Sequence, residues 1–299
     1  MTTRRSRKPS GFTLVEMVVV IVITAIIGAV IAVFIRVPVQ GYADSVARAD
    51  LTDVADIALR RMSRDLRLAL PNSVRIAVDG TGNQYLELLL TKSGGRYLSE
   101  EDADAGNPNR WPLKFEAAVD CAATPTDCRF SVVGPMPNPP VIAGADSIVV
   151  YNLGPNLEPA NAYDCGASGC NRAAVAGVDD SNRIITLASN PFAVQQPAMT
   201  SPTRRFQVVS TPVTYTCAGG RLTRYWGYAI SKNQPTSAAA LGNTSALLAT
   251  DVAGCSFEYN QLANVRSALV GLTLRLTAPA GSNAGEIALF HQVHVDNTP

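Results

Sequence analysis

The chain has 299 residues, enough for one large domain or two ordinary ones with a sizeable core. Its formal net charge is +1 and only 16 % of its residues are charged, so nothing in the overall balance points to nucleic acid. With 47 % hydrophobic residues, 22 Gly and 19 Pro, the composition excludes wholesale disorder, collagen, a coiled coil and a multispan membrane protein.

Charge and hydrophobicity are segregated at the amino end. Residues 1–11, MTTRRSRKPSG, hold Arg4, Arg5, Arg7 and Lys8 and no acid, a basic leader that the positive-inside rule keeps cytoplasmic. From Phe12 to Ile35 the only charged side chain is Glu16, and Met17 to Ile35 is a run of nineteen uncharged residues. As an α-helix that run reaches about 28 Å, close to the roughly 30 Å hydrocarbon core of a bilayer. One membrane span is expected, with everything after Arg36 outside the cytoplasm.

Two ordinary readings fit this segment poorly. A cleaved secretory signal has an apolar region of about 7 to 15 residues ending at a small-x-small cut site. This run is longer and continues into Arg36, Val37 and Pro38. A plain signal anchor accounts for the length but leaves Glu16 without a purpose, although a carboxylate in a membrane helix disfavours insertion by up to ~3 kcal/mol at the bilayer centre.

The string Lys8-Pro9-Ser10-Gly11-Phe12-Thr13-Leu14-Val15-Glu16 closely resembles the prepilin signature of type IV pilins and type II secretion pseudopilins. The resemblance implies that a prepilin peptidase cuts after Gly11 and methylates the new amino terminus, Phe12. It also implies that Glu16 sets the assembly register by pairing with the amino-terminal ammonium of a neighbouring subunit. Opposite charges about 4 Å apart at an effective dielectric near 20 attract by roughly 4 kcal/mol, which offsets the cost of placing the carboxylate there.

Between Tyr42 and Leu70 the apolar positions become Leu51, Ala55, Ala58, Met62, Leu66 and Ala69, a spacing of three or four that predicts an amphipathic helix. Asp44 with Arg48, Asp56 with Arg60 and Arg61 with Asp65 are i,i+4 pairs expected on its solvated face. Pro38 and Gly41 are expected to bend or interrupt the chain between the two halves, and Leu70-Pro71-Asn72 to stop it.

Past Pro71 short β-type runs take over, at 74–78, 85–90, 113–119, 130–133, 148–153, 184–187, 206–217, 222–230, 257–259, 269–277 and 287–295. Leu272, Leu274 and Leu276 alternate with Thr273, Arg275 and Thr277, a strand with one dry and one wet face. Gly219-Gly220 predicts a hairpin between strands near 213–217 and 221–228. Stretches 134–145, 154–182 and 232–246 read as long loops, and no repeat stands out in the globular region.

The expected fold class is α+β, a long amino-terminal helix packed on an antiparallel β-rich domain. Its parts are a cleaved leader (1–11), a transmembrane, filament-core helix (12–36), an amphipathic extension (37–70) and a β-rich periplasmic or extracellular domain (71–299). Six cysteines, Cys121, Cys128, Cys165, Cys170, Cys217 and Cys255, favour disulfides on the extracytoplasmic side. Sequence leaves their connectivity open, and nearest-neighbour pairing is the simplest. A zinc cluster is disfavoured because the sequence contains no C-x2-C pair.

Signs of catalysis are sparse. G-x-S-x-G, H-E-x-x-H, the P-loop and G-x-G-x-x-G are absent from a sequence with two histidines. His291 and His294 fall on opposite faces of a strand and cannot form one metal site there. The acidic segment 101–107 looks like a calcium loop but lacks the EF-hand glycine offset and terminal glutamate, leaving Asp102 and Asp104 a weak calcium candidate in a solvated loop. Trp111, Tyr225, Trp226 and Tyr228 would stack on sugars if exposed together, while aromatics in β-runs more often belong to the core. No enzymatic activity and no cofactor is expected.

Three further strings carry a narrower resemblance. They are Arg60-Arg61-Met62-Ser63-Arg64-Asp65-Leu66-Arg67 with Leu70-Pro71-Asn72-Ser73-Val74-Arg75, then Gly220-Arg221-Leu222-Thr223-Arg224-Tyr225-Trp226-Gly227, and Leu289-Phe290-His291-Gln292-Val293-His294-Val295-Asp296-Asn297. They resemble the MshO group of the MSHA-type pilus, to which PilW-type minor pilins and the J pseudopilin of type II secretion are related. The resemblance implies a low-abundance minor pilin that initiates, primes or caps a filament. The partners it implies are the prepilin peptidase, other major and minor pilins, the inner-membrane assembly platform and inner-membrane lipid, with no nucleic acid. The implied location is a single pass through the inner membrane with the domain periplasmic, and then the pilus. A minor pseudopilin of type II secretion and a membrane-anchored binding or adhesin module remain open at this stage.

Overall fold

The computed structural model describes residues 11–103, 110–116, 120–155, 157–166, 169–261, 267–279 and 282–299, apart from the side chains of Val37 and Gln261. One helix, α1 (Leu14–Arg67), takes up both the apolar run and the amphipathic stretch. Pro38 and Gly41 lie inside it, so of the expected bend or interruption the interruption does not occur: a proline removes one backbone bond, and a helix this long on either side carries that loss. The helix stops at Arg67, short of Leu70, because the next residues join a strand. Leu70 N–H donates to Leu89 O at 2.7 Å, and Thr91 N–H to Leu68 O at 2.8 Å.

Up to Asp50, α1 forms one compact unit with residues 278–285. There Asp44 accepts the backbone N–H of Asn283 at 3.0 Å, and Arg48 Nε donates to Ala284 O at 2.7 Å. Asp44 and Arg48, expected on a solvated face, therefore grip this loop.

The second unit, Leu51–Thr277 with Glu286–Pro299, contains two antiparallel sheets. The larger comprises β1 (Arg75–Val78), β2 (Gln84–Tyr97), β3 (Arg129–Val133), β4 (Ser147–Val149), β5 (Arg172–Asp179), β6 (Ile184–Leu187), β7 (Arg205–Ala218), β8 (Arg221–Trp226) and β9 (Ser245–Ala249). Its order is β1-β2-β3-β6-β5-β4-β7-β8-β9, and β2 also pairs with β7, so the six strands from β2 to β7 close into a ring. A one-turn helix, α2 (Ala238–Leu241), precedes β9. The smaller sheet is β10 (Val252–Gln261), β11 (Ser267–Thr277) and β12 (Glu286–Asp296).

The long strands β2 and β7 each serve two cores. Leu86 and Leu88 of β2, with Val213 and Tyr215 of β7, pack against Ala55, Ala58, Met62 and Leu66 of α1 and against Leu272, Leu274 and Leu276 of β11. Tyr97, Phe206 and Val208 at the other ends enter a core lined by Phe130, Ile148, Val175, Ile185 and Phe192. Register shifts at Leu89/Thr91 and Thr91/Ser93 mark the handover, with Pro212 opposite Leu89, where a bulge tolerates the missing donor. The predicted amphipathic face thus turns inward as expected, and the alternation in β11 is met.

The hairpin at Gly219-Gly220 forms as predicted: Ala218 pairs with Arg221 and both glycines have positive φ, +57° and +71°, which a two-residue primed turn requires. Three expectations are corrected, the first being the stretch 232–246, read as a loop, which holds α2 and the start of β9. β5 runs inside the stretch 154–182, also read as a loop, because its alternating residues are mostly Ala and Gly, which carry little β signal. Residues 113–116 form no strand, although Leu113 and Phe115 are buried; residues 117–119 lie outside the described ones.

Asn72 turns the chain out of α1 in a left-handed conformation, φ +60°. Its N–H donates to Asn297 Oδ1 at 3.1 Å and its side-chain amide to Asn152 O at 2.9 Å and Asn297 O at 3.1 Å. The six cysteines form Cys121–Cys128, Cys165–Cys170 and Cys217–Cys255, the last tying β7 to β10.

Candidate assembly site

The residues singled out from the prepilin-like string stand at the start of α1, with residues 1–10 outside the described ones. Gly11 and Phe12 precede the helix and are exposed. Thr13 caps it: its Oγ1 accepts the Glu16 N–H at 3.3 Å and its carbonyl accepts the Met17 N–H at 3.2 Å. Thr13 and Glu16 have capping-box spacing, so Glu16 occupies the third helical position, where the helix dipole and unpaired N–H groups favour a carboxylate.

From Met17 to Ile35 the helix is apolar on every side. None of this apolar stretch is buried, and the helix is long and apolar enough to cross a membrane. Thr24, polar within that stretch, donates its hydroxyl back to Val20 O at 2.8 Å and leaves no unpaired polar side chain on the surface. Such a surface is stable only against lipid or other apolar helices, since each Å² left in water costs about 25 cal/mol. The arrangement is an exposed apolar helix with one carboxylate near its start.

The other sequence candidates are dispersed. Asp102 accepts from the Ser99 hydroxyl at 3.1 Å and pairs with Arg204, which also reaches Glu101 at 3.2 Å; Asp104 lies outside the described residues. Among the described residues no group of three His, Cys, Asp or Glu is placed to hold a metal ion. His291 turns toward the inner face of β12 and His294 is exposed on the other. Tyr225 and Trp226 occupy opposite faces of β8, Arg224 lies over the Trp226 ring at 4.8 Å, and the Tyr228 hydroxyl is 2.6 Å from that of Thr214. A cleft of about 430 Å³ is lined by Tyr97, Glu101, Phe115, Glu116 and Arg204, and the Tyr97 hydroxyl is already taken by the Ser201 N–H at 3.1 Å.

Two buried charge networks escaped sequence reading. Arg75 Nε donates to Glu87 at 2.7 Å, its guanidinium lies 3.6 Å over the Tyr163 ring, and the Tyr228 hydroxyl donates to Glu87 at 3.1 Å. Burial pushes the Glu87 carboxyl up, against the pull of Arg75. The second network joins Asp65 to Arg224 and Tyr215, so Asp65 is buried rather than on the wet side of α1. The only hint in the sequence was that Glu87 interrupts the apolar run from Tyr85 to Leu90; Asp65 lies among arginines and gave none.

A family model described as the prokaryotic N-terminal methylation motif matches residues 6–32. The match spans Gly11, Phe12, Glu16 and much of the exposed apolar run, and it marks a type IV pilin-like or pseudopilin-like precursor. No curated protein matches the chain, and no solved structure does.

Proposed function

We propose that the chain is a minor pilin of an MSHA-like type IV pilus, cut between Gly11 and Phe12, methylated at Phe12, and assembled through Glu16 and the apolar half of α1. The observation that carries this reading is the methylation motif at residues 6–32 running into a helix whose apolar surface is wholly unburied. The domain is periplasmic before assembly, and its task is structural rather than catalytic. Prepilin peptidase, other pilins and the inner-membrane assembly platform are its partners. Its place is at the start or tip of the filament, where a low-abundance subunit suffices.

Intact mass and amino-terminal sequencing of the membrane-extracted protein, with and without the peptidase and beside Gly11→Ala, test the processing. A chain beginning at methylated Phe12 only when the peptidase is present is expected. An uncut chain would overturn the reading. Deletion of the gene is expected to reduce pilus number; unchanged piliation with impaired protein secretion would assign the chain to a type II secretion pseudopilus instead.

A further inference from the structure

Arg96, near the end of β2, has two exposed cross-strand neighbours, Val133 of β3 on one side and Arg205 of β7 on the other. Residues directly opposite each other in an antiparallel pair share a face. Tyr97, Val132 and Phe206 beside them enter the core, so Arg96, Val133 and Arg205 all point out of the ring. The row continues past Val133 into the β5–β6 turn. There the Arg183 carbonyl accepts the Val132 N–H at 2.8 Å, and its guanidinium donates to Gly134 O at 3.4 Å. Arg110 completes the row, lining a cleft of about 430 Å³ with Ser131, Val133, Asn182 and Arg183. At about 4.8 Å per strand, the distance from Arg205 to Arg183 is about 14 Å.

These cations lack acids. Among the described residues Arg96, Arg110, Arg183 and Arg205 make no ion pair. Nearby carboxylates are engaged elsewhere: Glu101 and Asp102 pair with Arg204, and Asp179 accepts from the Asn182 side-chain amide at 2.7 Å. Arg96 therefore faces Arg205 uncompensated, and like charges directly opposite on a sheet repel. Arg183 adds a second cost. It stands at φ +57°, a left-handed conformation that glycine or asparagine adopts more easily, so a guanidinium is kept where the backbone favours no side chain.

We infer that this row binds a linear acidic polysaccharide, whose uronate carboxylates are taken in turn by Arg205, Arg96, Arg183 and Arg110. The planar guanidinium fork matches a carboxylate with two parallel hydrogen bonds. Four cations set in a line fit charge repeated along an extended polymer rather than one small anion. Asn182 and the apolar Val133, 38 % exposed, stand between them and suit the hydroxyls and C–H edges of sugar units. A single-stranded nucleic acid would call for aromatic side chains to stack its bases, and none is among the residues lining the cleft. The row lies about 30 Å along β2 from Leu86, which packs against α1, so a bound polymer stays clear of that contact. The row belongs to the β-domain, and binding there does not depend on whether the chain enters a filament.

The test measures binding of fluorescent alginate oligomers to the full-length chain in detergent, with dextran as the neutral polymer and duplex DNA as the other polyanion. Alginate is expected to bind and dextran not to. Arg96→Gln with Arg205→Gln, both exposed, is expected to raise the alginate Kd about tenfold or more. Arg64→Gln with Arg67→Gln, an equal loss of charge on exposed positions of α1, is expected to change it by less than about twofold at physiological salt. Arg183→Gly separates binding from folding: glycine suits φ +57°, so the urea midpoint is expected to hold or rise while alginate affinity falls. No alginate binding by the intact chain, an equal loss from the α1 pair, affinity indifferent to Arg183→Gly, or tighter binding of DNA than of alginate would each overturn the proposal. Intact mass of the same samples reports cleavage at Gly11 separately, so failure of the pilin-like reading is told apart from failure of this one.

Discussion

Arg224 closes on Asp65 at 2.7 Å across 159 residues of sequence, and the Tyr215 hydroxyl donates to the same oxygen at 2.7 Å. Burial first, and the Asp65 charge second, hold the Tyr215 hydroxyl well above its ordinary value, so it stays a donor. The helix is thereby fixed in rotation and height against β7 and β8, since a buried carboxylate tolerates no slip from its partners. Replacing Arg224 by Met strands that carboxylate and is expected to cost about 3–5 kcal/mol. Urea unfolding of the detergent-solubilised chain checks it, and a double-mutant cycle with Asp65→Asn should show strong coupling. A loss no larger than that of an exposed pair would mean that the apolar contacts alone seat the helix.

Glu16→Ala removes the single charge of the apolar run and leaves the cleavage site unchanged. Normal processing at Gly11 is therefore expected, together with a fall of about tenfold or more in incorporation, which corresponds to about 1.4 kcal/mol. Sheared filaments probed against total membrane protein give the ratio. Undiminished incorporation would remove Glu16 from the assembly contact.

Cys217–Cys255 spans a sequence separation of 38 and joins the two sheets. In the chain-entropy account, closing such a loop stabilises by roughly 4 kcal/mol, against about 2.5 for either short bridge. Cys217→Ala with Cys255→Ala should lower the denaturation midpoint more than Cys165→Ala with Cys170→Ala. The opposite ranking would place the main stabilisation in the loop bridges.

Acid should weaken the domain from one identifiable set of groups. Asp79 is held far below the ordinary 3.8, first by the Thr81 hydroxyl and then by Asn83. Asp127, Asp164 and Asp179 are lowered by hydrogen bonds from Lys114, Lys232 and Asn182 respectively. A depressed carboxylate contributes stability above its unfolded value and loses it as pH falls through the folded one. Stability should therefore drop as pH is lowered below about 4, and Asp79→Ala should flatten that limb in urea titrations. Glu87 acts in the opposite sense: its raised value makes the folded chain hold the proton more tightly, so its contribution declines as pH rises above 4.5.

What could be read from the sequence depended on how local the cause was. The inward face of α1 from Leu51 to Leu66, the alternation from Leu272 to Thr277 and the Gly219-Gly220 turn all arise within a few residues of one another. Asp65 was misplaced because its i,i+4 partner Arg61 is adjacent while Arg224 and Tyr215 are distant. β5 escaped because strand-forming residues are replaced there by Ala and Gly, and only its pairing with β4 and β6 makes it a strand. At the assembly site, Gly11, Phe12 and Glu16 were visible as a contiguous string.

The clasp between Asn72 and Asn297 spans 225 residues, so the bend that releases the chain from α1 is completed by residues made long after it. Contacts of such separation form late, because the intervening loop must close first. A chain emerging amino end first would carry an unfinished exit from its anchor until β12 had arrived. Maturation would then run against the direction of synthesis, with the earliest junction locked last, and a chain stalled before Asn297 would present an anchored helix beside an open domain to the proteases that survey nascent proteins.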